Sequence, residues 1–493
     1  MALADFDSSH GDFAASVQLL ESLGNSGGSP KHALAAKIKL AEMYLGKGNL
    51  DVAVNLISAV LQNDEHNVDA LAVRAAIRLK RGEIDKAVSD LVEAQDADAN
   101  SPKIMLMLAL AYEREGSIEL AEQQYADALR LTGFDPNIGL TFANFLQRRG
   151  ETQRAENILT ELAQRYPTNI TVLSALGNIK LADRDWAAAQ AIGTKIEQIG
   201  NSGGIADQII GTALLRQNEV AESIAYFRRA AAAAPRAIKP MTLLVEALVR
   251  AKRTDEAFSF LDSILKAEPG NAEVSVLLGS LEVANNEPGR AAKSFEQAID
   301  DQPKDQSGYA ALAALYLRQS DTDAAMKTIQ AGLKENPDNV VLHFGLASIL
   351  EWTEDFEGAI SQYEQVLARE PGSMVAANNL ASLLADHRKD KASLARAQSL
   401  AARLRQSQVP QFMDTLAWVN YRRGDFEAAV PLLERAAGAM PNSALIHYHL
   451  AMGYLAVGRN KSALAEFHTA LAKSPGGDLT KEIQAEISKM AKN

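Results

Sequence analysis

The 493-residue chain contains no cysteine. Disulfides, thiolate zinc sites and a cysteine nucleophile are therefore excluded, while the redox compartment stays open. No apolar run reaches the roughly 18 residues that a membrane span requires. The first residues, MALADFDSSHGDF, lack a basic region followed by an apolar stretch, so they do not read as a signal peptide. Basic residues are nowhere clustered, and 62 acidic against 50 basic side chains give a net charge of −12. Such a chain repels nucleic-acid phosphates, which removes nucleic acid from the expected partners.

Catalytic and cofactor signals are equally scarce. There is no G-x-S-x-G, and no Ser-His-Asp arrangement can be argued from spacing, so the chain reads as no enzyme and calls for no cofactor. The eight histidines include His447 and His449, two apart on a helical stretch. That spacing points the rings in opposite directions, whereas a zinc pair needs three or four. His343 and His447 share a slot where a packed side chain is expected. Carboxylates such as those of EDFE sit at helix starts, where acidic groups suit the helix dipole. The run GNSGG occurs at Gly24–Gly28 and Gly200–Gly204. A phosphate loop would follow a strand and end in Gly-Lys-Ser/Thr. Neither run does, so both read as loosened turns with glycine at positive φ.

Hydrophobic residues make up 47% of the chain, enough for an extensive core. They are arranged periodically. A small residue recurs at Ala53, Ala87, Ala121, Ala155, Ala189, Ser223, Ala257, Ala291, Ala325 and Ala359, each step being 34 residues. A second column, Pro235, Pro269, Pro303, Pro337 and Pro371, keeps the same step; Pro167 precedes it, and Pro441 and Pro475 resume it after an insertion. Within one unit, VVLHFGLASILEWTEDFEGAISQYEQVLAREP, apolar residues follow helical spacing, break near EWTED and resume. The pattern predicts two helices per unit, proline after the second, and close helix packing at the small residue.

This pattern resembles the tetratricopeptide repeat, whose consensus is met by Leu450, Tyr454, Gly458, Ala463, Ala470 and Pro475. The resemblance implies an all-α, right-handed superhelical solenoid of about fourteen helix-turn-helix units across residues 1–477, stretched near residues 386–393, with Ala397 as the small residue of the stretched unit. DLTKEIQAEISKMAKN reads as a capping helix over 478–493, with Ile483, Ile487 and Met490 on one side. The first unit is partial, as though material upstream had been removed.

The family places ligands on the concave side, lined by first helices. Counted from the residue nineteen before the small one, positions 2, 5, 9 and 12 face inward. In the middle of the array these are small, as at Val276, Ser280, Ala310 and Ala314. Later they become large or polar: Phe344, Asn378, Asp414, Trp418, Tyr421, Tyr448 and Met452. Aromatic and methionine side chains on such a face suit partner anchoring. A second, polar strip comprises Asn137, Asn144, Gln147, Arg148 and Asn178, whose amides suit an extended peptide backbone. The resemblance therefore implies a non-catalytic scaffold with protein partners, a helix or an extended segment in the groove. The lysine pattern that grips chain ends in some members is not reproduced.

The stretches at 375–404 and 412–459 are further similar to bacterial cell-envelope tetratricopeptide lipoproteins that accompany exosortase (PEP-CTERM) sorting and exopolysaccharide export. That similarity implies a periplasmic or envelope-associated scaffold, with a lipid anchor if an upstream signal was removed. Two alternatives stay open: a cytoplasmic assembly or chaperone adaptor, and a polysaccharide-binding role with Trp418, Tyr421 and Tyr448 as stacking platforms.

Overall fold

In a computed structural model, the chain is described at residues 13–25, 30–200, 202–405, 407–474 and 476–491. These hold 28 α-helices and no strand among the described residues. After the helix Phe13–Asn25 the helices pair into antiparallel hairpins, such as Pro136–Arg148 with Thr152–Arg165 and Val340–Trp352 with Phe356–Arg369. The chain is thus an all-α tetratricopeptide-type solenoid. Its packing divides it into two units, Met1–Ala257 and Phe258–Asn493.

The turn inside the hairpins has one chemistry, except in the hairpin of Met374–His387. The first helix ends in a residue at positive φ, and the N–H just beyond it reaches back five residues. Examples are Glu151 N–H to the Leu146 carbonyl (2.9 Å) and Asp355 N–H to the Leu350 carbonyl (2.8 Å). This closes carbonyls that the helix end would leave open. The turn between hairpins is different. The residue before proline leaves the helical region, as at Tyr166, Gln302 and Glu370 (ψ 66, 75 and 74°). Two residues after the proline, Asn169, Asn271, Asp305, Asn339, Ser373 or Ser443 accepts a backbone N–H of the next helix through its side chain. Pro475 lies outside the described residues.

The small-residue column is fully buried from Ala53 to Ala463, and Ala397 occupies it in the stretched hairpin. There the first helix, Met374–His387, ends in an extended Arg388, and Asp390 caps the helix Lys391–Ala402. A second small position lies on the first helix. A Cβ on Gly211 would stand 2.8 Å from the Phe227 ring, and one on Gly279 would stand 2.5 Å from Phe295. Ring and glycine fit as knob and hole, so neither can be exchanged alone.

Of the GNSGG runs, residues 26–28 and 201 lie outside the described residues. The second run is not merely a loosened turn. Gly200 and Gly204 do take positive φ (80 and 83°), but a Cβ on Gly204 would also lie 2.9 Å from the Ala230 backbone. Close backbone approach, rather than slack, is what requires glycine there.

In the first unit the core runs through Leu71, Leu91 and Leu108, and through Tyr125, Phe145, Leu162 and Leu173. In the second it includes Tyr363, Leu380 and Trp418, then Leu433 and Leu450, and ends where Ile483 of the helix Asp478–Met490 is buried beside Phe467. First helices of successive hairpins also touch each other in both units, as do Ile170–Ala182 with Ile205–Arg216 and Pro410–Arg422 with Ala444–Ala456. Successive second helices make no comparable contact, so the first helices form the inner layer of each stack.

Candidate functional site

The polar strip lies in the first unit. Asn137, Asn144, Gln147 and Asn178 are all exposed. Arg148 is exposed too, but its guanidinium grips Glu113 of the preceding hairpin through three bonds of 2.7, 3.0 and 3.2 Å. Glu113 also accepts the Tyr125 hydroxyl at 3.4 Å. Burial, then the Glu113 charge, pushes the Tyr125 phenol up to about 12. Arg148 is therefore committed to the scaffold in large part, and the amides are what the strip offers outward.

The second strip spans the last four hairpins. Its residues do not share one environment. Trp418 is 7% exposed. Its ring stacks parallel to Tyr421 (centroids 4.7 Å apart) and to His449 (3.9 Å). Its Nε1–H donates to Asp386 at 2.6 Å, and Asp386 also pairs with Arg422 at 3.6 Å. Asp414 is buried and bound to His449 Nδ1 at 2.9 Å. Trp418 and Asp414 thus join three hairpins to one another. A ring buried this way offers a sugar no open face, so Trp418 is no stacking platform. The physical reason is register: Asp386, Trp418 and His449 are each about one repeat apart, so helix stacking brings them together.

Phe344, Asn378, Tyr421, Tyr448 and Met452 are half-buried. Phe344 packs edge-on to Tyr363 at 5.4 Å. Asn378 donates to Asn379 at 3.1 Å, and its own side-chain carbonyl oxygen is buried without a partner. Burial raises the Tyr448 phenol above its ordinary range, helped by the charges of Glu482 and Glu486 from the terminal helix. Tyr421 is raised in the same sense by burial and then by Glu486.

Sequence reasoning passed over the outermost members of this face. Val341, Val375 and Leu445 occupy inward position 2 of their hairpins and are 54, 49 and 48% exposed. The inward register alone would have found them. Trp352, the last residue of its helix, is 81% exposed. Its signal was a tryptophan placed where the apolar stripe gives way to a polar turn.

The histidines take structural roles. His343 bridges Gln362 (2.7 Å) and the Pro337 carbonyl (2.8 Å), and His447 bridges Glu466 (2.6 Å) and the Pro441 carbonyl (3.2 Å). Each ring ties the turn between hairpins to the second helix. Among the described residues no group of three or more acidic or histidine side chains could hold a metal ion, and no helix is long and apolar enough to cross a membrane.

Two family models, each described as tetratricopeptide repeat, match the chain. One covers residues 214–281, 282–350 and 421–487, the other 38–102 and 73–136, together more than half of the sequence. No curated protein matches. Solved structures with a similar course include the anaphase-promoting-complex hetero-tetramer Cut9–Hcn1 (12% identity, 99% of this chain and 95% of that one, TM-score 0.41). Another is yeast Tom70 (17% identity, 92% and 100%, TM-score 0.39). A third is Naa15/Naa10 bound to HypK-THB (14% identity, 100% and 96%, TM-score 0.35).

Proposed function

The chain belongs to the tetratricopeptide-repeat family, and from that premise we propose that it is a non-catalytic scaffold holding a protein partner on the inner, first-helix face of its second unit. The carrying observation is the row of exposed apolar residues Val341, Val375 and Leu445 beside half-buried Phe344, Tyr421, Tyr448 and Met452. Leaving apolar area in water costs about 25 cal/mol per Å², and a partner recovers it on binding. A row at one register position along four successive hairpins, interrupted only by Gln411, suits a continuous segment better than a small molecule. The exposed amides Asn137, Asn144, Gln147 and Asn178 give the first unit a second, polar face of the same kind, suited to an extended backbone.

The test uses the full chain as bait after crosslinking in its native cells. Val341→Asp, Val375→Asp and Leu445→Asp together should abolish partner capture, while far-ultraviolet circular dichroism stays unchanged because the three side chains are already exposed. Capture that survives the triple variant would remove this face from the reading. The envelope setting rests on the wording of residues 375–404 and 412–459. Fractionation of native cells tests it separately, and recovery in the cytoplasm would sink the setting without touching the scaffold.

A further inference from the structure

The inner positions of the last four hairpins carry no lysine or arginine. Position 2 holds Val341, Val375, Gln411 and Leu445, and the deeper positions hold aromatic, aliphatic, methionine, small, amide and acidic residues. The only charges at these positions are negative, Glu351 and Asp414, and Asp414 is already bound to His449. At its far end the face meets the terminal helix Asp478–Met490, which contributes Glu482 and Glu486 beside the Tyr448 phenol. The Asp386 charge, on the helix Met374–His387, acts weakly in the same sense on that phenol.

Three cations stand nearby, each already paired. Arg422 pairs with Asp386 at 3.6 Å, Lys489 with Glu486 at 2.5 Å, and Lys481, next to Glu482 in the chain, with Asp478 at 2.7 Å. Glu482 is exposed and has no cation paired with it among the described residues. The local balance stays negative, and the half-buried Tyr421 and Tyr448 rings border it. An aromatic face attracts a cation through its quadrupole, and a neighbouring carboxylate adds to the same preference. An acidic chain end would meet repulsion here.

We propose that this face docks a basic, apolar segment of a protein partner, whose aliphatic side chains cover Val341, Val375 and Leu445 and whose lysine or arginine sits between Tyr448 and Glu482. This rests on the scaffold reading above and adds the chemical class of the partner. The apolar row supplies contact area, while the carboxylates select the sign of charge and so the partner.

Three labelled twelve-residue peptides test it by fluorescence anisotropy with the full chain: alternating leucine and lysine, leucine and glutamine, and leucine and glutamate. The lysine peptide should bind at least about tenfold more tightly than the glutamate peptide, with the glutamine peptide between them. Glu482→Gln with Glu486→Gln should weaken the lysine peptide about fivefold and leave the glutamine peptide unchanged. Glu219→Gln, an exchange in the first unit, should change neither. Equal binding of all three peptides, or an equal effect of Glu219→Gln, would overturn the charge selection while leaving the scaffold reading intact. Failure of every peptide to bind would overturn both.

Discussion

One backbone position shows how far a single residue can depart from what its conformation prefers. The residue closing the first helix stands at positive φ at Gly48, Gly82, Gly116, Gly150, Arg184, Asn218, Lys252, Asn286, Ser320 and Glu354, again 34 apart. Glycine and asparagine accept this region readily, but Arg184, Lys252 and Glu354 carry a Cβ there at a cost of about 1–2 kcal/mol. Glu354→Gly relieves that strain and restores some unfolded-state entropy, for a net gain of about 0.5–1 kcal/mol. A denaturation midpoint that moves down instead of up would contradict it. Tyr125 gives a pH counterpart. Its phenol is raised to about 12, so the folded state keeps the proton more tightly than the unfolded chain, whose value is about 10. The resulting stability is fully present below about pH 10 and fades as pH rises through about 12. Tyr125→Phe should flatten the alkaline fall of the first unit's stability between those limits, read as melting temperature against pH. An unchanged slope would assign the fall to other groups.

Among elements, what was legible followed columns. The two-helix unit, the proline turn, the Ala397 assignment and the terminal helix could all be read from spacing, because each repeat solves the same packing problem with the same residues. The face was legible in part. Inward register picked out Tyr421, Tyr448, Phe344 and Met452, which are half-buried, but it could not show that Trp418 and Asp414 were committed to Asp386 and His449. Those contacts depend on side-chain reach between neighbouring hairpins, which a column of letters does not record. The tightness at Gly204 was hidden too, since it is set by the backbone at Ala230, twenty-six residues on in the second helix of the same hairpin. Among the helices whose cap stands two residues after a proline of the column, one breaks the capping rule openly. Ile238–Arg250 begins after Ala237, whose extended backbone matches the other caps (φ −89°, ψ 119°) but whose side chain cannot accept a hydrogen bond. Ala237→Asn should add about 0.5–2 kcal/mol by satisfying one orphan N–H. Thermal denaturation checks it, with Ala237→Ser as a weaker version of the same change; no gain from either would mean the end is already satisfied by water.

For the whole molecule, a stack of hairpins gains its stability from neighbour contacts, so damage should stay near where it is made. Leu433 is fully buried within the second unit, beside Leu450 and Ala417. Leu433→Ala removes buried methyl groups and leaves a cavity, costing about 2–5 kcal/mol. In a single cooperative globule that cost would lower amide protection everywhere by the same factor. In a repeat stack it should instead fall on the hairpins that share the core with Leu433, those within 410–473, and leave the protection of 68–165 unaltered. Hydrogen exchange followed peptide by peptide separates the two behaviours. If protection fell uniformly along the chain, the unfolding unit would be the entire molecule. The proposed partner face would then stand or fall with the first unit.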